Sequence, residues 1–358
     1  GKAPEYLQAL PAGSGPEGLT AIPQRGLLVV ASENDGAARS SVMIYQQGAD
    51  VPAYPTLMSS DSPAGPPIPW GAISGTTADR KQPGRLFAVT DSVYATTRIL
   101  EIDTNFTPAL ITNAMTVTKD GKPVGYDGEG IAQRADGGFW VASEGDPDKK
   151  PAPLRNMLLR LNAKAEVQEE IELPEALARH ATRFGFEGVT ITGTGDQEVV
   201  WLAVQREWKD DPKGFTKILR YTPATKTWGV LHYPLEATKA EGGWVGLSEI
   251  TTVGPDTFVV IERDNQFGDS ALKTLHSFSV AGLTAAAPGD AKVPVVTKRL
   301  LRNLVPVLQK PHGYVLDKVE SFAVDSAGQA FAITDNDGVD GSNGETQFLR
   351  LGALPSLR

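Results

Sequence analysis

A short acidic segment recurs along this chain. Glu17-Gly18-Leu19-Thr20 returns as Glu129-Gly130-Ile131-Ala132 and as Glu187-Gly188-Val189-Thr190, with looser copies at Ser248-Glu249-Ile250-Thr251 and Val319-Glu320-Ser321-Phe322-Ala323. Carboxylates gathered at one point repel each other, and when partly shielded from water they either keep their protons or hold a cation. With no cysteine and only 4 histidines in 358 residues, the available ligands are oxygens. Oxygen ligands suit a hard ion, calcium ahead of magnesium or manganese. The formal charge of −9 fits a cation and argues against a nucleic-acid backbone or an anionic membrane as the main partner.

The elements that must position these acids follow from the spacing. A sixth copy without the acid, Gly71-Ala72-Ile73-Ser74, lies between the first and second, and positions 17, 72, 129, 187, 249 and 320 recur about every 60 residues. Each unit continues with an apolar second strand that ends in polar residues: 28–33, 86–91, 139–144, 200–206, 258–263 and 330–335. A third strand follows in each, from 42–46 in the first unit to 347–351 in the last, and then a more variable fourth. Six such units predict an all-β chain, a six-bladed β-propeller of four-stranded blades occupying residues 1–358 as one domain. Residues 5–10 are expected to supply the missing outer strand of the last blade and close the ring. Two insertions, 174–183 and a helix through Leu300, Leu304 and Leu308 interrupted at Pro306, are expected over the mouth that carries the glutamates. The apolar runs are strand-sized, so no membrane span is expected.

First strands line the channel of a propeller, and in antiparallel pairs the start of a first strand lies beside the end of the second. Glu17, Glu129, Glu187, Glu249 and Glu320 are therefore expected as metal ligands around one mouth, beside Glu33, Asp91, Glu144, Arg206, Arg263 and Asp335. The following loops add Asp35, Asp146, Asp148, Asp264, Asp269, Asp337 and Asp340. The run Asp335-Asn336-Asp337-Gly338-Val339-Asp340-Gly341 is the best peripheral calcium candidate, although Val339 stands where an EF-hand places a ligand. Arg206 and Arg263 either pair with neighbouring acids or form the anion-binding half of a site, which Arg39 and Arg98 would extend. Glu144 or Glu262 is the candidate base. His232 and His276 lie in strand-like runs and read as packing residues, whereas His180 and His312 lie in the insertions and are acid–base candidates. Neither a phosphate loop nor a nucleophile elbow is present, so a serine triad is not expected.

The segments Tyr126-Asp127-Gly128-Glu129-Gly130-Ile131-Ala132, Gly138-Phe139-Trp140-Val141-Ala142-Ser143-Glu144, Gly185-Phe186-Glu187-Gly188-Val189, Leu247-Ser248-Glu249-Ile250, Val260-Ile261-Glu262-Arg263-Asp264 and Glu320-Ser321-Phe322-Ala323, in this order, resemble the phytase-like family described by "esterase-like activity of phytase". That resemblance implies a six-bladed propeller, exported to the periplasm or secreted after loss of a leader, and a phosphoesterase or esterase activity. Propeller phytases hold calcium in an acidic cleft with basic residues for phosphates, and the acid ring with Arg206 and Arg263 is similar in kind. The expectation is a monomeric, calcium-dependent hydrolase of a small anionic ester or phosphate ester, with calcium polarising the phosphoryl or carbonyl oxygen. Two alternatives stand beside it: a non-enzymatic binding propeller with structural calcium, and a calcium-dependent lactonase of the senescence-marker or paraoxonase type.

Overall fold

Each repeat unit folds as an antiparallel meander because its apolar runs are strand-length, rich in branched and aromatic residues, and separated by turn formers. The structure is a computed structural model and describes residues 3–5, 7–13, 15–33, 40–49, 54–268, 270–311, 315–338 and 345–354. The first sheet contains β1 (Pro16–Ile22), β2 (Leu27–Ser32) and β3 (Ser41–Gln46). The second contains β4 (Leu57–Ser59), β5 (Ile73–Ala78), β6 (Arg85–Thr90), β7 (Arg98–Asp103) and β8 (Ala109–Thr116), with β4 parallel to β8 at its outer edge. A hairpin of β9 (Thr118–Lys119) and β10 (Lys122–Pro123) leads to three four-stranded sheets. These are β11 (Gly128–Gln133), β12 (Phe139–Ser143), β13 (Met157–Leu161) and β14 (Val167–Glu172); β15 (Phe186–Thr192), β16 (Val199–Val204), β17 (Phe215–Thr222) and β18 (Thr227–Pro234); and β19 (Val245–Gly254), β20 (Thr257–Asp264), β21 (Lys273–Ser279) and β22 (Lys298–Asn303). The last sheet has β23 (Val319–Val324), β24 (Gln329–Thr334) and β25 (Phe348–Ala353).

The innermost strands touch in the order β5, β11, β15, β19, β23 and back to β5. The propeller ring therefore closes with five sheets, which corrects the expected six-bladed count. Ile73, Leu86 and Leu100 of the second sheet share one buried cluster with Phe331, Ile333 and Phe348 of the last, so these two sheets pack directly against each other. Among the described residues the first sheet forms no comparable packing with the ring, and Leu19, Val42 and Ile44 remain largely exposed on it. The expected N-terminal closing strand is also corrected: the described residues among 3–13 form no strand, and β25 has no outer neighbour among the described residues. Residues 54–59 make the link instead. Here β4 extends the second sheet, while Thr56 Oγ1 accepts the amide of Phe348 at 2.8 Å.

The insertions are shorter than expected as helices. Only α1 (Glu175–Ala178) and α2 (Val305–Leu308) form among the described residues, with Pro306 tolerated in the first turn, where its missing N–H has no helical partner to lose. Leu300 belongs to β22, so the expected helical face through it is replaced by strand pairing.

All six first strands carry a bulge at the same place. Their register against the second strands shifts around Glu17, Ser74, Glu129, Glu187, Ser248 and Glu320. An extra residue at a bulge bends the strand and re-aims its side chain. In the ring the following residue lies where the inner backbones meet. A Cβ on Gly75 would come 2.6 Å from the Glu129 carbonyl oxygen, and one on Gly130 2.7 Å from the Val189 nitrogen. The Glu-Gly pair thus combines a side chain turned to the mouth with a position kept bare for ring contact.

Candidate metal centre

The bulges bring Glu129, Glu187 and Glu320 to one mouth of the ring, with Ser74 and Ser248 at the equivalent places in the other two sheets. Asp127, two residues before Glu129, and Glu144, directly after β12, complete a trio with Glu129. One carboxylate oxygen from each lies within 4.8 Å of the others. Glu144 Oε1 accepts the Gly185 amide at 2.7 Å, and Asp127 Oδ1 accepts the Ser92 amide at 3.2 Å. Glu187 accepts the side-chain amide of Gln205. Glu129 accepts no hydrogen bond among the described residues, and the charges that act on it most strongly are Glu187, Glu144, Glu320 and Asp127. Burial, reinforced by these like charges, pushes its carboxyl well above the usual range. Burial does the same to Glu187, with Glu144 and Glu320 adding to it and Arg263 and Lys318 partly offsetting it. Glu144 is pushed up to about 8, first by burial and then by Asp127 and Glu320.

The other half of the mouth contains its cations. Burial would raise the Glu320 carboxyl, but Lys318, Arg263 and a hydrogen bond with Asp335 hold it below the usual range. Arg263 is 2% exposed: its Nε donates to Ser248 Oγ at 2.8 Å, Nη1 to Asp317 Oδ1 at 3.3 Å, and Nη2 to Glu320. Lys273, fully buried behind it, bonds Asp264 Oδ1 at 3.0 Å and Asp317 Oδ1 at 3.4 Å. Asp335 is raised to about 8 by burial and by Glu320, and Asp91 to about 6 by burial, with Asp127 and Asp337 adding to it. Asp91, Asp335 and Asp337 form a second carboxylate group of the same tightness, but Lys318 already bonds Asp337.

Several expected site residues lie elsewhere. Glu17 occupies the same bulge, but on the exposed first sheet, outside the ring. Glu249 is one residue past its bulge, which falls on Ser248. Its side chain enters the waist of the channel, accepting the amides of Ile250 at 3.0 Å and Thr76 at 3.3 Å, and that of Phe322. It ties three sheets together and is not part of the acidic mouth. Arg263, almost fully buried, donates three of its N–H groups to Ser248, Asp317 and Glu320, so in this structure it serves to orient Glu320. Glu262, its neighbour on β20, points to the opposite face of the sheet, as strand alternation requires. There it accepts Lys298 Nζ at 2.7 Å and Tyr233 Oη at 3.0 Å, with His276 Nδ1 at 3.3 Å. His276, with His232 on Asp211 at 3.0 Å, is thus in polar contact, not simply packed. Asp35, Arg39, Asp269, His312, Val339, Asp340 and Gly341 lie outside the described residues. Because Glu262 balances a half-buried lysine away from the mouth, Glu262→Gln should lower the melting temperature by about 5 °C or more. Turnover per folded molecule, measured in the same preparation, should stay within about twofold of the parent.

Asp127, Gln205, Asp317 and Lys318 were not singled out by the motif. Asp127 and Lys318 stand two residues before Glu129 and Glu320, and a strand places i and i+2 on one face. That spacing was the available signal. Beside the trio, between the second and third sheets, is a cavity of about 550 Å³ whose walls include Tyr94, Tyr126, Leu154 and Met157, with Asp127 and Glu144 exposed into it. Its size, and a wall that mixes these apolar side chains with Asp127, Glu144, Arg155 and Glu172, suit a small organic ligand carrying polar groups.

A family model described as Phytase-like, esterase-like activity of phytase, matches residues 68–338. No curated protein matches the chain. Similar solved structures are distant. The Bombyx mori GH32 β-fructofuranosidase BmSUC1 has 11% identity and a TM-score of 0.42, with 78% of this chain and 59% of that chain covered. The Niastella koreensis GH74 enzyme has 10% identity and a TM-score of 0.42, with 95% and 54% covered. A structure described as the Dos1 propeller has 10% identity and a TM-score of 0.35, with 95% and 68% covered. The chain thus spans less than two thirds of the length of the first two, and no substrate is inferred from any of them.

Proposed function

The chain belongs to the phytase-like family described by esterase-like activity, and from that membership and the chemistry of the mouth we propose that it is a calcium-dependent hydrolase of small esters, phosphate esters among them. The observation that carries this reading is Glu129. It is a half-buried carboxyl with no hydrogen-bond donor among the described residues, acted on most strongly by four other acids and closely grouped with Asp127 and Glu144. A group of that kind is stabilised by a hard cation, and the donor set is all oxygen. Asp127, Glu129 and Glu144 would hold the ion, and the chemistry it supplies when bound is polarisation of the ester oxygen and activation of water. Glu187 lies next to the trio with one oxygen held by Gln205, and it takes the proton from the attacking water. This moves Glu144 from base to ligand. Arg263 and Lys318 keep Glu320 ionised and hold that side of the mouth in place. The Tyr94–Tyr126 cavity receives the organic part of the ester and shields the reacting bond from bulk water.

The test uses protein stripped of metal on a chelating resin and then restored with calcium, magnesium or manganese. It is assayed on an aryl carboxylate ester, an aryl phosphomonoester, a phosphodiester and a lactone. Turnover of an ester that appears with calcium and is lost on stripping is the expected result. If calcium raises only the melting temperature and none of the four is hydrolysed, the protein is a binding propeller with a structural ion.

A further inference from the structure

The insertion between β14 and β15 takes no part in the acidic mouth, yet it walls a second compartment beside the Tyr94–Tyr126 cavity. On one side α1 supplies Ala178, followed by Ala181, and on the other the β12–β13 loop supplies Pro147 and Pro153. Leu154 and Leu173 complete the apolar lining of a volume of about 270 Å³. Leu173, Leu177 and Ala181 are buried in the core cluster that contains Phe186 and Val189, so the insertion has a fixed base. The loop is held as firmly. Leu154 donates its amide to the Asp146 carbonyl at 2.9 Å, and Asn156 Oδ1 accepts the amides of Gly145 at 3.1 Å and Phe186 at 3.0 Å. The two compartments share three wall residues, Leu154, Arg155 and Glu172. The bar between them is therefore the ion pair of Arg155 with Glu172, whose side chains are 71% and 51% exposed, with Leu154 beside it. An ion pair so open to water contributes little to stability and parts at small cost. The charges around the second compartment also balance, Arg155 and Arg179 against Glu172 and Glu175. It favours neither an anion nor a cation, and its apolar lining favours a hydrocarbon.

We propose that the two compartments form one groove leading away from the acidic mouth, and that the second receives the far end of an uncharged acyl or alkyl chain on the ester. Its place in the reaction rests on the hydrolase reading, with the ester group at Asp127 and Glu144, which open into the first compartment. The substrate class narrows to an ester whose organic part is a long neutral chain, threaded past Arg155 and Glu172. Each methylene moved from water into the groove stabilises the complex, so length itself is selected until the chain reaches the wall formed by α1. A short acyl group fills only the first compartment and gains nothing from the insertion.

The experiment reads binding by calorimetry. The protein as purified is titrated with acetanilide and with hexananilide, aryl amides that resist ester hydrolysis and carry a short and a long chain. The expected result is saturable binding, with the hexanoyl compound held at least about tenfold more tightly. Ala178→Trp fills the second compartment and should abolish that advantage while leaving acetanilide binding unchanged. Glu175→Trp, at an exposed position on the same wall, takes its place if melting curves show that Ala178→Trp does not fold. Arg155→Ala removes the bar, and should bind hexananilide as tightly as the parent or up to about fivefold more tightly. No length advantage in the parent, or an advantage that survives in a folded tryptophan variant, overturns the groove. Weaker hexananilide binding in Arg155→Ala makes the ion pair part of the wall and overturns the passage between the compartments. Because no turnover is read, failure here leaves the hydrolase reading standing, and failure of the hydrolase assay leaves this result intact.

Discussion

Glu129→Gln should make the metal-stripped protein more stable and, in the same variant, reduce calcium-dependent turnover by at least about 100-fold. The amide has nearly the same shape as the carboxylate but carries no charge, so it relieves the repulsion from Asp127, Glu144, Glu187 and Glu320. It also takes away the ligand that is otherwise without a donor, so added calcium should no longer raise the melting temperature. The pH dependence of the parent has the same origin. Glu129, Glu144 and Glu187 have folded pKa values above the ordinary 4.5, Glu144 at about 8. Between those values the folded state binds more protons than the unfolded one, so stability falls as pH rises. The stripped protein should therefore melt at a lower temperature at about pH 8 than at about pH 5, and excess calcium should flatten the difference. Groups whose folded pKa is lowered, such as Glu320, contribute stability that is lost only on acidification below this window. A variant that melts below the parent in the stripped state, or a stripped parent that gains stability across that rise in pH, would contradict the assignment.

Arg263→Met should be the most destabilising single change near the mouth. It strands Glu320 and leaves Asp317 and Ser248 short of a donor in a site only 2% exposed at Arg263 itself. Removing one partner of a buried ion pair costs about 3–5 kcal/mol, which corresponds to roughly 5 °C in a chain of this size. Arg263→Met combined with Glu320→Gln should recover much of that loss, because the second change neutralises the stranded acid. Urea denaturation of the four members of this cycle gives the coupling. A single variant that melts like the parent yet loses activity would place Arg263 on the substrate instead of on Glu320.

Much of the architecture was legible in the chain. The repeat interval, the second-strand segments and the alternation in Arg98–Asp103 appear as strands within a residue or two of where the pattern put them. The acids at the starts of β11, β15 and β23 were legible for the same reason, since a glutamate and a small residue preceding a branched or aromatic run form a local signal. The misplacements at Glu249 and Glu262 are each a matter of one residue. The bulge in β19 falls on Ser248, and Glu262 is the out-of-phase neighbour of Arg263. With a side-chain period of two, a shift of one residue sends the group to the other face or to a different depth.

The number of blades in the ring is a different kind of information. Repeat count states how many meanders form, and six do among the described residues. Which of them pack together depends on apolar faces far apart in sequence, and Ile73 and Leu86 meet Phe331 and Ile333 directly across more than half of the chain. Local pattern thus determined the strands, the meanders and the acids that begin them. Long-range packing decided that five sheets close the ring, that Glu129 stands beside four acids with no donor among the described residues while Glu320 has Arg263, and that Glu17 is left outside. Hydrophobic periodicity is written in neighbouring residues, whereas register at a bulge and the choice of packing partner are settled only when distant strands meet.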